Sequence, residues 1–220
     1  MVAEVAPGDA KTRTGAVDVG TTGPGPGRRA PAGLIEKFNQ AVRRPEDHGG
    51  LSVLPLLLDL LAEASQQTED LVWIPDRNER FGTAGLVRDL FADPGNHVAA
   101  SQYGEDAHRR GWLRLDRTLT TAEHAVLADR AAAWAGTERA VHDVLDEFGP
   151  ASVTFGDPSP SLPTSLSYAC GDRDAPVVAF HFAPAPADTP SAAVLLVVDG
   201  VSGGFLGMRF TPRGRAQWGR

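Results

Sequence analysis

The chain has one cysteine, two lysines and no long apolar run, and each shortage excludes something. With Cys170 as the sole cysteine, neither an internal disulfide nor a cysteine-built zinc cluster can form. A reducing compartment is the simplest setting for such a chain. No apolar stretch approaches the ~18 residues of a membrane-spanning helix. The longest, residues 53–64, is interrupted by Pro55, Asp59 and Glu63 and predicts a buried core helix. No apolar export core follows a basic start: behind Arg28-Arg29 comes only Ala30-Pro31-Ala32-Gly33. These absences predict a cytoplasmic protein with no membrane partner.

Among 21 basic residues only Lys11 and Lys37 are lysine. Together with the many Ala and Gly, this resembles the coding bias of a GC-rich bacterial genome. The net charge is −7, which argues against a nucleic-acid partner, because phosphate-backbone binding needs a Lys/Arg surplus. With 220 residues, 42% of them hydrophobic, the chain can bury a core without staples.

Two domain-level regions are expected. Residues 1–33 are rich in Gly, Pro, Ala and Thr and predict a disordered tail, because they offer little to bury against the entropy of ordering. Residues 34–220 read as a single α+β domain, helical over 34–149 and sheet-forming over 150–220. The change of period falls near Phe148.

In the helical part, Leu34, Ile35, Phe38, Ala41 and Val42 share one face. A second helix, 52–64, carries leucines at 54, 56, 57, 58, 60 and 61, so apolar residues go nearly all the way round. Such a helix is central or faces a partner. Leu71-Val72-Trp73-Ile74 reads as a short strand, and Leu86, Val87, Leu90 and Phe91 as a helical face. Residues 96–119 show no clear period. A long helix is expected over 121–148, capped by Thr120 and Glu123, with Val126, Ala133, Trp134, Val141, Val144, Leu145 and Phe148 on its buried stripe.

The sheet part predicts four or five strands, about 152–155, 165–170, 177–182, 193–198 and 205–211. Their short connections imply an antiparallel meander. The expected register places His181 across from Leu166.

Candidate chemistry is sparse. Gly200-Val201-Ser202-Gly203-Gly204 has the letters of a nucleophile elbow, but the mechanism needs a strand–turn–helix and a downstream histidine, and no histidine follows Ser202. The run reads instead as a glycine-rich hairpin loop, where Gly supplies positive φ. Cys170 with His181 as base is the second nucleophile candidate. The expected ladder separates the two by about four residues, roughly 13 Å at strand rise.

His97, Glu105, Asp106 and His108 lie within twelve residues but match no metal-ligand spacing. Glu138, His142 and Asp146 follow i, i+4, i+8 and read as a solvated face. Neither lysine lies in a phosphate-binding glycine loop, and no metal or cofactor is implied.

Arg109, Arg110, Arg114 and Arg117 form a basic cluster near Trp112 and Tyr103, the composition of a binding hot spot. The leading expectation is a non-enzymatic protein-binding module, an accessory, adaptor or immunity-like protein. The alternatives are a hydrolase-type enzyme with a cleft near His181 and Ser202, and a small-molecule-binding domain using the same sheet face.

Overall fold

The computed structural model describes residues 29–66, 96–157, 159, 162, 164–184, 193–200 and 208–218. Among them are six α-helices and a five-stranded antiparallel sheet. The order is α1 (Ala32–Arg43), a 3₁₀ turn (Pro45–His48), α2 (Val53–Ser65), α3 (Asn96–Arg110), α4 (Thr121–Trp134), α5 (Val141–Phe148), β1 (Val153–Gly156), β2 (Thr164–Tyr168), β3 (Val178–Ala183), β4 (Val194–Asp199), β5 (Arg209–Phe210) and α6 (Pro212–Trp218). The expected tail lies outside the described residues as far as 28. Its last residues are built in, since Ala30 is buried and α1 starts at Ala32. The expected strand at 71–74 and helical face at 86–91 also lie outside.

The strands follow one another in space as β1-β2-β3-β4-β5, all antiparallel. This is the meander that the short connections imply. The register differs by one residue from the expected one: His181 sits across from Ser165, and Tyr168 across from Val178. The fifth strand is shorter than expected. Its described part is Arg209–Phe210, and the chain turns at Thr211 into α6, which the residue pattern did not announce.

The long helix expected over 121–148 is two helices. The Thr120–Glu123 capping box starts α4 as expected: Glu123 N donates to Thr120 Oγ1 at 3.2 Å, and Thr120 N to Glu123 Oε2 at 2.7 Å. Helix α4 ends at Trp134, ahead of Gly136 and Thr137, residues of low helix propensity. The chain then extends, so that Leu195 N donates to Arg139 O at 2.8 Å and Val141 N to Ala193 O at 3.3 Å. The break gives the start of β4 an edge partner, Ala140 opposite Val194. It also overturns the single apolar stripe. Val126 is 57% exposed, and α4 instead buries His124, Leu127 and Ala131.

Each face of the sheet is covered by helices. Under α4 and α5 lie Leu166, Tyr168, Val178, Phe180, Phe182, Leu195 and Val198. Trp134, Phe148, Tyr168 and Phe180 form a ring cluster there, with centroids 5.0–6.2 Å apart. Under α3 the cross-strand rows read Phe155–Ser165–His181–Val197 and Val153–Ser167–Ala179–Asp199. Helix α3 comes close because Gly104 has no Cβ; one built there would sit 2.5 Å from the Phe155 ring. Helices α1 and α2 pack beyond it, sharing a core of Phe38, Val42, Leu54, Leu58, Leu61, Tyr103 and Trp112.

The ladder skips a residue between β3 and β4: His181 faces Val197 and Phe182 faces Leu195, so Leu196 is the extra one. Its carbonyl accepts from Thr211 N at 3.0 Å. Helix α6 seats on this bulge through Gly214, where any Cβ would collide with the Leu196 carbonyl.

Candidate functional site

Two places in the fold hold side chains that packing alone does not account for. The first is the outer side of α2. This helix turns Leu54, Leu58, Leu61 and Ala62 inward at helical spacing. The opposite side then has to carry Leu56 and Leu60, which are 61% and 50% exposed. One turn apart, they stand on one face, with the exposed acids Asp59 and Glu63 beside them. At the end of this ridge lies a cavity of ≈ 390 Å³, lined by Leu34 of α1 and by Leu60, Glu63, Ala64 and Gln66.

The second place is a polar seam between α3 and the sheet. Ser165 Oγ lies 2.7 Å from His181 Nδ1, with the two residues 0% and 1% exposed. Among the described residues His181 Nε2 and Ser167 Oγ have no hydrogen-bond partner. His97, on α3, lies within electrostatic reach of His181. Burial pushes His97 down to about 4, against the pull of the Phe182 carbonyl that its ring bonds. Burial, helped by the neighbouring His97, pushes His181 down to about 3. Both rings are therefore neutral at pH 7.

At the far end of the seam, burial raises the Glu105 carboxyl. Arg109 pulls it back down, while Asp199 and Asp106 push it up. Burial raises Asp199 in turn, with the Gly200 amide opposing. His108 is lowered by burial and by Arg173.

The structure brings together only some of the residues singled out by sequence. His97, Glu105, Asp106 and His108, in the stretch without a clear apolar period, all lie on helix α3. Asp106 is committed to Arg110, its Oδ2 3.0 Å from Nε. Among the described residues no group of three or more His, Cys, Asp and Glu is arranged to hold a metal ion. Cys170 is buried and sits beyond the end of β2, away from Ser165 opposite His181. Ser202 lies outside the described residues. Glu138 leaves the expected Glu138–His142–Asp146 face, because it precedes α5 and accepts from Arg213 N at 2.9 Å.

The basic cluster is engaged within the chain. Trp112 is 4% exposed and lies under the Arg110 guanidinium at 5.4 Å. Arg114 pairs with Glu36. Arg117 donates to the carbonyls of Phe148 and Pro150 and pairs with Glu123 at 3.0 Å. Arg109 is exposed. Arg114 and Arg117 pin the connector 111–119 to α1 and to the ends of α4 and α5. Buried Asn39 does the same from inside, donating to Trp112 O at 2.8 Å and accepting from Arg114 N at 2.7 Å.

Sequence reasoning missed Ser165, although Ser165-Leu166-Ser167-Tyr168 alternates and so marks Ser165 as sharing a face with Ser167. The Leu56–Leu60 ridge was visible as an excess of leucines over what one helix can bury. Glu105 stood out only as one of four ligand-type residues in a short stretch, and its approach to Asp199, far away in sequence, carried no signal. No helix among the described residues is long and apolar enough to cross a membrane. No family model, curated protein or solved structure matches the chain.

Proposed function

We propose that the protein is a protein-binding module and that the outer side of α2 is its contact surface. The observation that carries this reading is the exposure of Leu56 and Leu60 on a helix whose inner side is fully engaged. Isolated surface leucines need no explanation. Two on consecutive turns beside a cavity form a patch of the kind that partners cover. The arginine cluster supports the reading less well, because its aromatic residue is buried and Arg110, Arg114 and Arg117 are paired internally.

The test is capture of partners from native lysate, identification by mass spectrometry, and reconstitution with the purified partner. The double variant Leu56→Asp/Leu60→Asp should lose at least about tenfold in affinity while keeping its circular dichroism. An unchanged dissociation constant removes α2 from the interface.

A second reading, a hydrolase-type enzyme, rests on the Ser165–His181 contact, since a hydroxyl at 2.7 Å from an imidazole is the geometry of an activated nucleophile. Burial of both residues opposes it. A fluorophosphonate probe that labels the wild type and not Ser165→Ala would favour this reading over binding.

A further inference from the structure

The chemistry of the α2 face narrows what can bind it, given the protein-binding reading on which this rests. Between Leu51 and Gln66 the sequence carries Asp59 and Glu63 and no lysine, arginine or histidine. Both acids are exposed, and neither has a salt-bridge partner among the described residues. They border the Leu56–Leu60 ridge along its whole length. The cavity at its end has an apolar wall, Leu34, Leu60 and Ala64, and one charge at its rim, Glu63. That combination suits a side chain with a long aliphatic stem and a cationic head. On α1, Lys37 is the opposing charge, one turn from Leu34.

A second copy of this surface would bring four carboxylates together, so self-pairing through it is disfavoured at neutral pH. We infer that the occupant of the α2 face is a basic amphipathic segment of another protein, its leucine-type side chains on Leu56 and Leu60 and an arginine or lysine in the cavity against Glu63. Docking of an amphipathic helix against an apolar strip is a common mode of peptide recognition, and the flanking charges set its selectivity.

The probes are two fluorescein-labelled helical peptides with the same Leu ridge, one flanked by Lys and Arg, the other by Glu. Their anisotropy is titrated with the full chain. The basic peptide should bind at least about tenfold more tightly than the acidic one and weaken as salt rises. Leu60→Gln should abolish its binding. This variant leaves net charge unchanged, so loss of binding separates docking on the ridge from general attraction to an acidic protein. Asp59→Lys/Glu63→Lys should reverse the preference.

Equal binding of both peptides, with loss in Leu60→Gln, overturns the basic partner and leaves the α2 reading standing. Binding that Leu60→Gln does not weaken, or no binding of either peptide, overturns the basic partner as well. In that case the Leu56→Asp/Leu60→Asp reconstitution decides the surface by itself. A dimer in sedimentation that Leu60→Gln dissociates assigns the face to a second copy instead.

Discussion

On one side of the sheet, under α4 and α5, the strands present Tyr168, Phe180 and Phe182. On the other, under α3, the same strands present Ser165, Ser167 and His181. Both sides are equally shut off from water. The first is held by ring packing and area removed from water. The second spends part of its area on groups that must find hydrogen bonds, and at least two buried atoms among the described residues, His181 Nε2 and Ser167 Oγ, do not. Burial by itself therefore does not tell which side carries the fold's stability; the chemistry of what is buried does.

Truncation separates the two sides most sharply. Phe180 is fully buried and touches Phe148 and Tyr168, at centroid distances of 5.4 and 5.7 Å. Phe180→Ala should cost about 3–5 kcal/mol in chemical denaturation, from lost transfer energy and the cavity left behind. A loss below about 1 kcal/mol would erase the contrast.

The polar side should respond in the opposite sense to complete removal of its polar pair. Ser165→Ala alone strands His181 Nδ1 and should cost about 1–3 kcal/mol. Replacing both partners, as Ser165→Ala/His181→Leu, should recover much of that loss, since no polar atom of the pair is then left buried. A double variant worse than the single one would mean that the hydrogen bond itself stabilises the fold.

Acid should act on the seam before it acts on the ring cluster. His97 and His181 have folded values of about 4 and about 3, below the ordinary 6.5. The unfolded chain thus binds more protons than the folded one as pH falls below 6.5. Their contribution to stability is fully present above 6.5 and is lost progressively down to the folded values. Glu105 and Asp199, raised by burial, oppose this: their burial favours the protonated form. Urea midpoints measured from pH 7 to 4 should fall with a slope that His181→Leu makes shallower. An identical slope in the variant would take His181 out of the acid response.

The smallest effect belongs to the surface. Arg114 pairs with Glu36 while more than half exposed, and Arg114→Ala should change stability by no more than about 1 kcal/mol in thermal melts. A larger loss would show that its tether between α1 and the connector 111–119 matters to the fold.

The aromatic side was legible because its residues obey simple periods. Val178, Phe180 and Phe182 alternate along β3, and short Gly- and Pro-rich connections leave only antiparallel neighbours. Helix α3 was not legible. Half of its buried residues are His97, Ser101, Gly104 and His108, so much of its helical period is written in polar and small residues that a search for apolar periodicity passes over. The break at 135–140 was hidden for a related reason. Gly136 and Thr137 weaken a helix there without excluding one, and the extended pairing of Ala140 with Val194, more than fifty residues away, completes the break.

Composition and local pattern, then, determined the α+β class, the meander, the Thr120–Glu123 cap and the surplus of leucine on α2, because each depends on neighbours within a few residues. Tertiary structure alone decided which leucines of α2 point outward, that Ser165 rather than Leu166 faces His181, and that Glu105 lies within electrostatic reach of Asp199. These follow from a one-residue register and from contacts between distant segments, which local spacing does not encode.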